Sequence, residues 1–223
     1  MACLLIRVRL PDRPGALGAV ASRIGAVGGS VGSIDVLEVG GGSVIDEFGV
    51  ELDAEGHADL VRAEILEVDG VEIESVVTVP GPVPDRNAEA LDLAVSLFHQ
   101  RTPSDVVDHL VERVRASLAA RYAVVLDPRG PWPDAAAGDL PDEAWMADAA
   151  VRVAQAAPRD ATAAVASDLV PATAVARLPR AGLVLLVGRD VPVLRQREYQ
   201  RVAVMAELAD HRWEELANRA AAG

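Results

Sequence analysis

Hydrophobic and polar positions in the first third of the chain follow two periods. Runs with a period of two predict strands at 4–10, 31–39, 44–52 and 71–77. Spacing near 3.6 predicts a helix through Leu17, Val20, Ile24 and Val27, closed by Gly28-Gly29, and a second helix over 53–67. The order βαββαβ is the split βαβ pattern of a ferredoxin-like sandwich, in which the first strand lies between the third and the fourth.

The helix-free face of this predicted sheet carries many charges. Arg7 and Arg9 of the first strand should meet glutamates of the neighbouring strands, namely Glu47, Glu51, Glu72 and Glu74. Cross-strand pairs of this kind contribute about 0.2–1 kcal/mol each. We therefore expect a charged, solvated face whose arginines and glutamates neutralise one another.

Prolines and a glycine interrupt the pattern at 80–86, which we interpret as a linker between a domain at 1–79 and a second domain at 87–219. In the second domain we predict helices at 88–98, 104–119, 142–156 and 194–218, and strands at 122–126, 161–166, 172–177 and 183–187. Helices thus flank an antiparallel sheet. The predicted fold class of the whole chain is α+β.

Composition narrows the range of partners. The chain has 223 residues, of which 51% are hydrophobic and 3% aromatic, and its formal net charge is -13. It would repel a polyanion and offers few aromatic platforms for bases, so we expect no nucleic-acid partner. Arg7 interrupts the N-terminal apolar run and no apolar stretch is long enough to span a bilayer. We expect a cytoplasmic protein with no membrane partner.

The basic residues restrict the possible chemistry, because all 21 are arginine and none is lysine. Schiff-base catalysis and phosphate-loop binding both require a lysine amine. Cys3 is the single cysteine, and the histidines lack the spacing of metal ligands; they are His57, His99, His109 and His211. We expect no metal, no other cofactor and no catalytic residue.

The turn after the first strand is the candidate binding site, formed by Asp12-Arg13-Pro14-Gly15-Ala16-Leu17. Gly15 allows a ligand to approach the backbone closely, and Pro14 fixes the entry into the helix. The N–H groups of Ala16 and Leu17 are expected to point toward a carboxylate at the positive end of the helix dipole. Asp12 could cap the helix or accept an ammonium group, and Arg13 could contact the carboxylate. The alternative is that Pro-Gly only starts a helix.

These residues resemble the ACT domains, regulatory modules that bind amino acids or other small ligands. The resemblance covers about 3–79 and rests on the Asp-x-Pro-Gly-x-Leu turn and on Gly28-Gly29-Ser30-Val31. It implies a homodimer in which the ligand is held by the backbone around Arg13 to Leu17 of one subunit and by Ser30 and Val31 of its neighbour. With Asp12 from the turn chemistry, the predicted ligand-binding residues are Asp12, Arg13, Pro14, Gly15, Ala16, Leu17, Ser30 and Val31. Ser30 departs from the family, which often has asparagine there.

The second domain resembles a GAF-type domain over about 88–218, by pattern and without a diagnostic motif. GAF domains are sensors and dimerisation modules. Trp132, Trp145 and Trp213 could line a pocket, although packing is the more common role of such tryptophans. The helical stripe Met205, Ala209, Trp213 and Leu216 could pair with a second chain or cover the sheet.

These features together predict a non-catalytic regulator that binds an amino acid or a related carboxylate as a homodimer. A separate enzyme chain is a possible target of the regulation. Two alternatives stay open. The chain could be an assembly module without a ligand, or an enzyme whose C-terminal active site has no recognised motif.

Overall fold

The computed structural model describes residues 2–52, 58–83, 85–130, 133–155, 165–166 and 172–222. Its contacts divide the chain into two compact units, Met1–Asp85 and Arg86–Gly223. The division falls within the 80–86 segment.

The N-terminal unit has the predicted order βαββαβ. Its elements are β1 (Ala2–Pro11), α1 (Ala16–Ala26), β2 (Gly29–Gly40), β3 (Ser43–Leu52), α2 (Ala58–Leu66) and β4 (Glu72–Val79). The start of the second helix was predicted at Asp53, and 53–57 lie outside the described residues. The sheet is antiparallel with the order β2-β3-β1-β4, so β1 lies between β3 and β4 as expected.

Alternation along the strands builds the core of this unit. Every second residue of β1 and β3 turns toward the helices, where Val20 and Ile24 of α1 and Val61 and Ile65 of α2 are fully buried. The strand residues of this cluster are Leu4, Ile6, Val8, Leu10, Phe48, Val50 and Leu52.

Helix α1 ends just before Gly28-Gly29, as the sequence predicted. Gly28 has a φ of 80°, and a Cβ on Gly29 would lie 2.7 Å from Ile24 Cγ2.

The helix-free face of this sheet differs from the expectation. Arg9 is partly exposed and pairs with Glu74 at 2.9 Å and with Glu72 at 3.9 Å, as predicted. Arg7 instead is only 1% exposed and donates to Glu47 at 2.8 Å. Glu51 lies opposite Cys3 and makes no ion pair within the described part of the chain. The charges do neutralise one another, but the prediction of a fully solvated face is wrong.

Part of the segment interpreted as a linker packs on this face. Val83 lies so close to the sheet that a Cβ on Gly49 would be 2.3 Å from Val83 Cγ1, and a Cβ on Gly32 would be 3.0 Å from Val83 Cγ2. Glycine at both positions makes room for the valine. Val83 therefore covers part of the sheet, while Pro84 lies outside the described residues.

The C-terminal unit consists of a five-stranded antiparallel sheet with helices on both faces. The elements are α3 (Arg86–Phe98), α4 (Pro103–Ser117), β5 (Tyr122–Leu126), β6 (Pro133–Gly138), α5 (Glu143–Gln155), β7 (Val165–Ala166), β8 (Thr173–Leu178), β9 (Leu183–Gly188) and α6 (Gln196–Ala222). The strand order is β6-β5-β9-β8-β7. Helices α3, α4 and α6 cover one face, and α5 covers the other. The α+β class is confirmed.

Two strands of this unit differ from the predicted set. Strand β6 was not predicted, because its centre is Ala135-Ala136-Ala137 and alanine has low strand propensity. Of the strand predicted at 161–166, only Val165–Ala166 is described, and 161–164 lie outside the described residues. The long last helix covers the sheet through Met205, Ala209 and Leu216, which are buried in the core of this unit.

Among the described residues no helix is long and apolar enough to cross a membrane.

Candidate ligand-binding site

The turn between β1 and α1 forms an exposed helix start. Gly15 is the N-cap residue of α1 and has a φ of 89°, a conformation that favours glycine. No side chain caps the helix, and its first turn contains no acidic residue. A helix start of this kind leaves backbone donors and a positive dipole end without an internal counterpart.

The donors that remain available differ from the predicted ones by one residue. Ala16 N–H donates to the carbonyl of Arg13 at 3.3 Å, and the Ala16 side chain is buried. The structure gives no acceptor for the N–H groups of Leu17 and Gly18 within the described part of the chain. The pair expected at Ala16 and Leu17 therefore lies at Leu17 and Gly18. Gly18 was not among the predicted site residues.

Asp12 and Arg13 stabilise the turn and do not cap the helix. Asp12 N–H donates to the carbonyl of Gly42 at 3.0 Å, which ties the turn to the hairpin between β2 and β3. The Asp12 carboxylate does not cap α1, so that part of the prediction is wrong. Arg13 Nη2 donates to the carbonyl of Asp69 at 3.4 Å. Both side chains are exposed, and so is Pro14.

The second half of the predicted site lies at the other end of the sheet. Ser30 and Val31 begin β2, and Ser30 and Cys3 both lie opposite Glu51. The turn follows Pro11, which is eight residues farther along β1 than Cys3. At roughly 3.3 Å per residue this separates the two halves by about 26 Å. One chain does not bring them together.

Asp46 is a polar residue near the turn that sequence reasoning missed. It lies on β3 between Val8 of β1 and Val36 of β2, and it alternates with Phe48 and Val50 on the helix-facing side. Asp46 is 2% exposed, and burial raises the pKa of its carboxyl group. It accepts no hydrogen bond from any described residue. The sequence could have predicted this burial, because Asp46 follows the same spacing of two residues as Phe48, Val50 and Leu52 and so lies on the same face of the strand.

The two described tryptophans of the C-terminal unit take part in packing. Trp145 meets Tyr122 edge to face, with ring centroids 6.3 Å apart and an angle of 87° between the planes. Trp213 packs on the core and borders an open cleft of about 380 Å³ that also contains Asp127, Arg129 and Asp134. Trp132 lies outside the described residues. These contacts fit the packing interpretation.

One serine and one histidine form a close pair that was not predicted. Ser96 Oγ and His109 Nε2 are 2.7 Å apart, and Ser96 Oγ also donates to the carbonyl of Leu93. Burial and the nearby Arg113 lower the pKa of His109. No described carboxylate contacts His109, and the described residues contain no cluster of three metal-ligating side chains. The pair joins α3 to α4 and lacks the third group of a catalytic triad.

The chain matches no family model and no curated protein. Among solved structures, an unknown protein from Galdieria sulphuraria is similar over 45% of this chain and 64% of its own, with 16% identity and a TM-score of 0.32. A formyltetrahydrofolate deformylase from Pseudomonas putida KT2440 is similar over 44% of this chain and 38% of its own, with 11% identity and a TM-score of 0.30. The chain thus spans less than two thirds of either structure. Similarities at this level carry no argument about function.

Proposed function

We propose that this protein is a non-catalytic regulator that binds a small carboxylate, such as an amino acid, at the start of α1. The supporting observation is the uncapped, exposed helix start, where the N–H groups of Leu17 and Gly18 have no described acceptor. A carboxylate can accept from both groups and is favoured by the helix dipole. Arg13 lies in the same turn as an exposed cation.

In this proposal residues 1–79 are an ACT-like regulatory domain and 87–219 a GAF-like domain. The Asp-x-Pro-Gly-x-Leu turn supports the first assignment, because its glycine has the positive φ that only this residue adopts without strain. The strand order β6-β5-β9-β8-β7 with helices on both faces supports a sensor-type sandwich for the second. Both assignments rest on resemblance.

The proposed active form is a homodimer joined through β2. This strand is 12 residues long, lies at the edge of its sheet and exposes Ile34, Val36 and Val39. Long apolar edge strands tend to pair with another chain. If two β2 strands pair antiparallel, the start of one faces the end of the other. Ser30 and Val31 of one subunit then approach the turn of its neighbour.

The first experiment is a thermal-shift screen with the standard amino acids, because a ligand bound only by the folded state raises the melting temperature. The informative variant is Gly18→Glu. Gly18 is exposed and has open space around the position of a Cβ, so glutamate fits there. An acidic residue in the first turn stabilises a helix and competes with a bound carboxylate. We expect a higher melting temperature without ligand and the loss of the ligand-induced shift.

Gly18→Ala is the matched control. It also stabilises the helix, by about 0.5–1 kcal/mol, but adds no charge, so the ligand response should persist. Gly15 is unsuitable for this test because any side chain at its φ strains the turn. A full ligand response in Gly18→Glu would refute the site. If no amino acid shifts the wild-type protein at millimolar concentration, the assembly module without a ligand becomes the better proposal.

A further inference from the structure

Asp46 is a buried charge that nothing in the described chain compensates. It is 2% exposed, and no described donor reaches its carboxylate. Arg7 and Glu47 lie on the opposite face, since side chains alternate along β1 and β3. A carboxylate buried without donors lowers the stability of the fold. A group that compensates it would have to come from outside the described residues.

The surface beside Asp46 is open and apolar. Val36 lies opposite Asp46 and Ile34 lies opposite Phe48, so both belong to the helix-facing side of β2. They are nevertheless 38% and 39% exposed, so α1 covers this edge of the sheet only in part.

Leu17 borders the same surface. Arg23 of α1 pairs with Glu64 of α2 at 2.9 Å, so that flank of α1 faces α2. Leu17 projects from the other flank by helical geometry, toward β2, and is 38% exposed. We name the surface formed by Leu17, Ile34 and Val36, with Asp46 at its base, the α1–β2 groove.

We propose that the α1–β2 groove binds a small aliphatic ammonium compound, with Asp46 as the counter-charge and Leu17, Ile34 and Val36 around the aliphatic group. The inference rests on the proposed function only for the other end of the ligand, where a carboxylate would meet the N–H groups of Leu17 and Gly18. Charge complementarity commits the groove to a cation, because an anion or a neutral carboxylic ester would leave Asp46 uncompensated.

Three probes separate the two ends of the ligand. Leucine carries an amine and a carboxylate, 3-methylbutylamine carries the amine alone, and 4-methylpentanoate carries the carboxylate alone. Calorimetric titration of the full chain should give measurable binding of both amines. Asp46→Asn keeps the shape of the side chain and removes the charge, so it should weaken both amines on the order of 10- to 100-fold and leave 4-methylpentanoate unchanged.

Asp35→Asn is the matched control, because it removes the same charge from β2 on the opposite face of the sheet. It should leave the binding of all three probes unchanged. Circular dichroism and a melting curve verify that both variants are folded. If Asp46→Asn fails to fold, Asp46→Leu serves as the second charge-removing variant.

The outcomes distinguish this inference from the proposed function. Equal affinity of the wild-type protein for leucine and 4-methylpentanoate would overturn the role of Asp46 and leave the carboxylate site standing. Binding of 3-methylbutylamine without 4-methylpentanoate would support the groove and count against the helix start. If neither amine binds, or if Asp46→Asn changes the sedimentation of the protein without ligand, the inference is wrong.

Discussion

Two buried aspartates in this chain have opposite surroundings. Asp210 of α6 accepts hydrogen bonds from the backbone N–H groups of Arg180 and Ala181 and from the Arg180 guanidinium, all between 3.0 and 3.2 Å. It thereby holds the turn between β8 and β9 against the helix. Asp46 is buried to a similar degree and accepts no hydrogen bond from a described residue. Burial of a carboxylate is favourable in the first setting and costly in the second.

Asp46→Asn should therefore stabilise the protein without ligand, by about 1 kcal/mol at neutral pH. Burial raises the pKa of Asp46 in the folded state above the unfolded value of about 3.9. Below about pH 3.9 the Asp46 carboxyl group is protonated in both the folded and the unfolded state, so its burial costs little free energy. As the pH rises through the folded pKa, the wild-type protein loses stability relative to the variant.

Urea unfolding of the two proteins between about pH 3 and pH 8 measures this difference. At the acid end of this pH range the two proteins should have the same free energy of unfolding. At the neutral end the free energy of unfolding of the variant should be higher than that of the wild-type protein by a constant amount. Asp35→Asn, on the other face of the sheet, reports the effect of net charge alone. A variant less stable than the wild-type protein at neutral pH would show that Asp46 has a stabilising partner.

At the level of elements, the sequence was informative wherever one period dominated. The order of the N-terminal unit and the position of β1 between β3 and β4 followed from alternation and helix closure. Strand β6 was missed because three alanines carry no period. The site could be located only in part. The turn chemistry marked the helix start, whereas the choice between Ala16 and Gly18 as donor depends on one hydrogen bond of the turn.

The packing of Val83 was not visible in the sequence, because prolines and a glycine around it suggested a free linker. Two glycines that receive the valine, Gly32 and Gly49, lie on strands far from it along the chain. Only the folded register brings them together. The burial of Arg7 was not predicted either. Without a segment packed on this face of the sheet, a charged residue there would be expected to be solvated.

Gly49→Ala tests whether this packing contributes to stability. The added Cβ would lie 2.3 Å from Val83 Cγ1 and 2.5 Å from Ser33 Oγ, so we expect a loss of about 1–3 kcal/mol in the free energy of unfolding. Val83→Ala in the same chain removes the colliding methyl groups and should restore part of that loss. Gly18→Ala, on an open helix surface, is the control for adding a methyl group. Additive effects of Gly49→Ala and Val83→Ala would mean that the two residues do not touch in solution.

At the scale of the whole molecule, the proposed composite site needs two chains. The turn and Ser30 lie about 26 Å apart along one sheet. An antiparallel pair of β2 strands would create two equivalent composite sites, each with the turn of one subunit and Ser30 of the other. This arrangement makes a prediction that no site within one chain can satisfy.

Gly18→Glu impairs the turn, and Ser30→Tyr places a bulky ring at the exposed start of β2. Each variant alone should fail to bind the ligand identified in the thermal-shift screen. In a refolded equimolar mixture, half of the dimers are mixed, and each mixed dimer combines one unaltered turn with one unaltered Ser30. Roughly a quarter of all sites should then bind, which calorimetric stoichiometry can measure. Normal binding by Ser30→Tyr alone would exclude Ser30 from the site. A mixture in which no binding returns would contradict the composite site, and sedimentation of the mixture verifies that dimers have formed.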